Sequence, residues 1–99
     1  MKIVFMGTPE FAVPALKALY QSAHSIVSVV TQPDRPKGRG QESQASPVKQ
    51  FASEKGLDIQ QPEKVNAPEF VGILQRQEPD IIVVVAFGQI LSAKVLAIP

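Results

Sequence analysis

Apolar residues in this chain come in short unbroken runs, separated by stretches in which they recur every three or four positions. Ile3 to Met6 is continuous and stops at Gly7, Ser25 to Val30 is rich in β-branched residues, and Ile81 to Ala86 is the most apolar segment of the chain. Runs without polar alternation predict strands buried on both faces, as in parallel sheets. Leu57 to Gln60 alternates apolar and polar and predicts a short third strand.

Helical spacing fills the intervals. Thr8-Pro9-Glu10 offers a cap and a proline tolerated in the first turn. Pro14 would delete a backbone bond, so the regular helix is expected only from near Val13, after an irregular turn. Ala12, Ala15, Leu16 and Leu19 would face inward. Ser46-Pro47-Val48-Lys49 predicts a capped helix start running through Phe51 and Ala52 to Lys55, with Gly56 as a left-handed stop. Ala67-Pro68-Glu69 opens another helix, with Asn66 as candidate cap, Phe70, Ile73 and Leu74 on one face, and Pro79 beyond its end. Ser92 would cap a last short helix through Leu96.

This alternation predicts an α/β fold, a Rossmann-like parallel sheet of about four strands with flanking helices. Ligands of such sheets gather at the carboxyl ends of the strands. That rule brings Gly7-Thr8-Pro9, the loop from Thr31, and Phe87-Gly88-Gln89-Ile90 to one edge.

Composition narrows the function classes. The 99 residues, 44% hydrophobic and 19% charged, suit one globular domain over residues 1–99 with no second domain. A net charge of +1 means that any nucleic-acid contact must be local. The lack of cysteine excludes disulfides, thiolate metal sites and a cysteine nucleophile. No apolar run approaches the ~18 residues of a membrane span, and Met1-Lys2 before Ile3-Val4-Phe5 is no signal peptide. A cytoplasmic protein without a membrane partner is expected.

One segment departs from this even background. Thr31-Gln32-Pro33-Asp34-Arg35-Pro36-Lys37-Gly38-Arg39-Gly40 holds three cations within five residues, offset only by Asp34. Its two prolines and two glycines are expected to rule out regular structure. At the sheet edge such a loop suits a clamp for an anion, although the same cluster also describes a hydrated surface loop.

Other candidates are weaker. Gly7-Thr8 could receive an anion on backbone N–H groups or could be only a tight turn. The first turn lacks the three glycines of a dinucleotide fingerprint, and no acidic residue ends the second strand. Lys37-Gly38-Arg39-Gly40 is no phosphate loop of the Gly-Lys-Ser/Thr type. His24 falls at the amino end of a strand, where a partnership with a helix C-terminus is expected. Asp80 also precedes its strand and should face solvent, while Glu10 fits an ordinary helix-dipole role. No pair of titratable groups converges, so no catalytic residue and no metal site is assigned.

Four blocks together resemble the methionyl-tRNA formyltransferase family: Phe5-Met6-Gly7-Thr8-Pro9-Glu10-Phe11-Ala12, Thr31 to Gly40, Ser46-Pro47-Val48-Lys49, and Val85-Ala86-Phe87-Gly88-Gln89-Ile90-Leu91. They occur in the family's order, and the resemblance covers essentially the whole chain. It implies a formyltransferase-type Rossmann-like domain that passes a formyl group from 10-formyltetrahydrofolate, a co-substrate, to the amino group of methionyl initiator tRNA.

By the same resemblance, Arg39 would contact the tRNA, with Arg35 and Lys37 in weaker phosphate contacts. Thr8 and Phe11 would border the aminoacyl side. Gly88-Gln89-Ile90-Leu91 would receive the pterin, main-chain groups of Gln89 and Leu91 bonding its edge and Phe87 and Ile90 giving apolar contact. The family's catalytic Asn-x-His and Asp would lie beyond Pro99, which makes these residues an amino-terminal portion expected to be inactive alone. Ile81 to Ala86, central in the parent fold, would then be an edge prone to pairing with another copy. Two alternatives stay open: another folate-dependent formyltransferase, acting on a sugar nucleotide or purine precursor, and a non-catalytic binding module.

Overall fold

A computed structural model describes residues 1–37 and 42–99. Four parallel strands form the main sheet: β1 (Lys2–Gly7), β2 (Ser25–Val30), β5 (Ile59–Gln60) and β6 (Ile81–Val85), in the order β5-β2-β1-β6. Between β2 and β5 the chain makes a separate antiparallel pair, β3 (Arg35–Lys37) with β4 (Glu42–Gln44). Helices α1 (Val13–Tyr20), α2 (Pro47–Glu54), α3 (Pro68–Gln77) and α4 (Ala93–Leu96) complete the fold.

The unbroken run of β1 follows from its position. It pairs with β2 on one side and β6 on the other, and Ile3 to Met6 are all buried. Its side chains alternate between two cores. Val4 and Met6 pack with Val30, Phe70, Val71, Leu74, Phe87 and Val95 on the α3–α4 face. Phe5 packs with Val29, Ala12, Leu16, Val48 and Ala52 on the α1–α2 face. A strand with helices over both faces has no solvent side, so no polar alternation appears in its sequence.

Most local signals act as read. A 3₁₀ turn at Glu10–Ala12 precedes α1, which starts at Val13 with Pro14 in its first turn. Ser46 caps α2, accepting from the Lys49 N–H at 3.0 Å, and Gly56 follows with φ +68°. Ser92 caps α4.

Several expectations are corrected. The segment 31–40 is not wholly irregular, because β3 contains Pro36 opposite Ser43. In a two-stranded ribbon every second residue turns its N–H away from the partner, a place proline can fill. Thr8 does not cap a helix; its hydroxyl donates to the Phe87 carbonyl at 2.6 Å. Nor does Asn66, which joins the loop before α4 while Ala67 stands at the α3 cap without a side-chain bond. The third strand shrinks to Ile59–Gln60, and the last ends at Val85, since Ala86 turns left-handed at φ 50°. His24 meets the Met1 amino group, with Nδ1 at 2.9 Å, rather than a helix end. Asp80 is exposed as expected but also accepts from the Lys2 N–H at 2.7 Å.

Candidate functional site at the carboxyl edge of the sheet

The strand order places β1 between β2, the next strand in sequence, and β6, the last. The chain reverses its direction of travel across the sheet at this pair, and the crevice beyond their carboxyl ends is where open α/β sheets take ligands. Gly7-Thr8 leaves β1 there and Ala86-Phe87-Gly88 leaves β6. The Thr8–Phe87 bond ties the two exits together, and the Gln32 N–H faces the Thr8 hydroxyl at 3.4 Å.

The loop after β6 is shaped by two left-handed residues, Ala86 at φ 50° and Gly88 at φ 103°. An alanine in that region is strained and persists only where its surroundings fix it. Gly88 answers a second demand as well, because a Cβ there would sit 2.8 Å from Gln32 Nε2. The Gln89 side chain anchors the loop. Its Oε1 accepts from the Val65 N–H at 2.7 Å, and its Nε2 donates to the Pro62 carbonyl at 3.1 Å and to Gln32 Oε1 at 3.0 Å. Asn66 holds the far end, donating to the Ile90 carbonyl and accepting from the Ser92 N–H, both at 2.8 Å. With the anchoring done by side chains, the main-chain groups of Gln89 and Leu91 have no protein partner among the described residues. A cavity of about 590 Å³ lies between Lys64–Ala67 and Gly88–Ile90.

The basic segment is held at its root. Thr31, fully buried, shares a 2.7 Å hydrogen bond with Ser46, so the two ends of the 31–46 excursion are clasped together. Asp34 accepts from Lys49 Nζ on both oxygens at 3.0 Å and from Gln61 Nε2 at 2.8 Å. The Gln61 amide, followed by the Lys49 ammonium, holds the Asp34 carboxyl below its ordinary pKa. Asp34 is matched to a lysine of α2, and it forms the one ion pair among the described residues.

The sequence-assigned residues separate into groups. Arg35 is exposed on β3, Lys37 ends that strand, and Arg39 lies outside the described residues. Phe11 is exposed and Thr8 half-buried beside the crevice. In the loop after β6, Ile90 is 90% exposed, whereas Phe87 is 2% exposed and belongs to the α3–α4 core. Gln32, Gln61 and Asn66 carry no titratable group and gave no signal as site residues. Only the position of Gln32 just past the carboxyl end of a parallel strand marks it in the sequence. Among the described residues no group of acidic or histidine side chains is placed to hold a metal ion, and no helix is long and apolar enough to cross a membrane.

Comparison with known proteins agrees with this architecture. A family profile described as formyl transferase matches residues 1–99. The methionyl-tRNA formyltransferase of Geobacter metallireducens is 54% identical over 99 residues, and that of Ruminiclostridium cellulolyticum 50% identical over 99 residues. Both alignments cover 100% of this chain and 32% of the relative, so the chain spans about a third of their length. The crystal structure of phosphoribosylglycinamide formyltransferase from Bacillus halodurans superposes with a TM-score of 0.64 at 11% identity, covering 97% of this chain and 50% of that one. That likeness concerns the fold. Matched from its first residue to its last by the family profile, the chain belongs to the formyl transferase family.

Proposed function

We propose that this chain is the amino-terminal part of a methionyl-tRNA formyltransferase, whose reaction moves a formyl group from 10-formyltetrahydrofolate to the amino group of methionyl initiator tRNA. The amine attacks the formyl carbon, the bond from that carbon to N10 of the folate breaks with its electron pair going to N10, and the proton the amine gives up is matched by one gained at N10. The observation that carries the reading is the Gln32–Gln89 bond, which joins the root of the basic segment to a loop whose Gln89 and Leu91 main-chain groups have no protein partner among the described residues. About half the residues are shared with relatives that bear this name.

In this reading the loop after β6 takes the pterin. The open main-chain groups of Gln89 and Leu91 match the donor and acceptor edge of such a ring, and Ile90 offers exposed apolar surface. Phe87 contributes from beneath, through the core. Arg39 would contact the tRNA, with Arg35 and Lys37 in weaker phosphate contacts, and Thr8 and Phe11 would border the methionyl end. The family's Asn, His and Asp are not assigned to any of these residues, and the 99 residues alone carry recognition without turnover. The chain works in the cytoplasm, and its β6 edge pairs with a second copy when nothing else covers it.

Titration with 5-formyltetrahydrofolate and with initiator methionyl-tRNA tests the reading. Binding of both is expected, with tRNA affinity falling steeply as salt rises. Binding of neither ligand overturns it. Folate binding without tRNA binding would point to a formyltransferase with a different acceptor.

A further inference from the structure

Gln32 sits where three strand exits meet and takes no part in the proposed contacts with either ligand. Its N–H faces the Thr8 hydroxyl beyond β1, and its carbonyl accepts from Gln61 Nε2 at 3.3 Å beyond β5. Its Oε1 accepts from Gln89 Nε2 beyond β6. The end of its side chain lies against Gly88, in the space a Cβ would occupy. Gln89 in turn spends both amide hydrogens and its oxygen on protein partners, Gln32, Pro62 and Val65. Removing the Gln32 oxygen would leave one of those donors without an acceptor in a half-buried position, where an unmet donor is costly. The segment that would respond contains two left-handed residues, Ala86 and Gly88, and holds its shape only while its neighbours fix it.

We infer that Gln32 is a positioning residue for the ligand loop 86–91, acting through the Gln89 amide from the root of the basic hairpin; the inference rests on the folate reading of that loop. A residue that merely filled space would, when changed, weaken the fold and both ligands together. A positioning residue acts on one ligand selectively, because the hairpin has its own anchors in Thr31–Ser46 and Asp34–Lys49.

The test compares Gln32→Leu, similar in size without an acceptor, with Gln32→Glu, which keeps an acceptor oxygen at the same reach. Affinity for 5-formyltetrahydrofolate is expected to fall about tenfold in Gln32→Leu, the scale of one lost hydrogen bond. Affinity for initiator tRNA should stay within about twofold, and Gln32→Glu should restore folate affinity to within about twofold. If Gln32→Leu does not fold, Gln32→Met provides the same measurement, since it is unbranched, close in size and lacks the amide oxygen that Gln89 donates to. Unchanged folate affinity, equal loss for both ligands, or failure of the glutamate to restore binding overturns the inference. A wild-type chain that does not bind the folate overturns the folate reading itself and the inference with it.

Discussion

Along the carboxyl edge of the sheet, hydroxyls and side-chain amides hold the loops in place, whereas along the open side of β6 an aliphatic strand stands with a single neighbour. The first side has Thr31 on Ser46, Asp34 between Lys49 and Gln61, and Gln32 on Gln89. The second has β6 bonded to β1 alone, with Ile81 and Val84 exposed and a small cavity lined by Ile82, Val84, Leu91 and Val95 on one face. Directional polar contacts fix the course of irregular backbone, which apolar packing specifies poorly. An apolar edge fixes nothing beyond itself and offers backbone groups to another strand.

Two serine caps show how much this difference is worth. Ser46 and Ser92 both precede short helices and were equally legible as caps. Ser46 accepts from Lys49 at 3.0 Å and also satisfies the buried Thr31 hydroxyl. Ser92 accepts from Val95 at 3.5 Å, at the head of a helix of four residues. Ser46→Ala should cost about 2–3 kcal/mol, the sum of a lost cap and an orphaned buried hydroxyl. Ser92→Ala should cost roughly 0.5 kcal/mol or less. Urea denaturation measures both, and equal losses would remove the distinction between the two sides.

That contrast also explains what could be read from the sequence. The strand–helix alternation, the delayed start of α1 and the proline-led helices follow from local rules, which Pro14, Pro47 and Gly56 state directly. The grouping of Gly7-Thr8, the hairpin root and Gly88 at one edge follows from topology. The partner choices did not follow. Thr8 bonds a carbonyl 79 positions away, and Gln32 meets an amide 57 positions away. No local signal distinguishes a hydroxyl that caps its own helix from one that ties two strand exits. The β3–β4 pair was hidden for the opposite reason, because its proline masks a ribbon only three residues long on each side.

The Asp34 contacts give the polar side a pH signature. A carboxyl held below its ordinary pKa in the folded state stabilises the fold above its unfolded-state pKa of about 4, and the contribution is lost as pH falls through the folded value. The unfolded chain binds the proton first, so stability should fall with pH in that window. Asp34→Asn should start from lower stability at pH 7 and show a shallower acid limb. Side-chain exposures of 34% for Asp34 and 26% for Lys49 keep the effect modest and sensitive to salt. Thermal melts between pH 3 and 7, about the range the linkage covers, compare the two slopes. Parallel slopes would mean that the carboxylate holds nothing.

The smallest stability effect belongs to the open side, where the readout is association. Val84 lies in β6, 44% exposed, on the face that carries Ile82 toward α3 and α4. A lysine there can run its methylenes along Leu91 and Leu96 and keep its ammonium in water, so unfolding free energy should change by no more than about 0.5 kcal/mol. Pairing through β6 would bring two such strands together and place like charges near one another, the device natural edge strands use against association. Light scattering on the concentrated wild-type chain should therefore give a mass above that of one copy, and Val84→Lys should return it to a monomer. A second substitution separates the edge from surface apolarity in general. Phe11 is 69% exposed at the opening of the first turn, remote from β6 in the order of elements, and Phe11→Lys should leave association unchanged. If Phe11→Lys dissolves the assembly and Val84→Lys does not, the interface lies at the ligand edge, and the contrast between a polar side that orders and an apolar side that pairs fails.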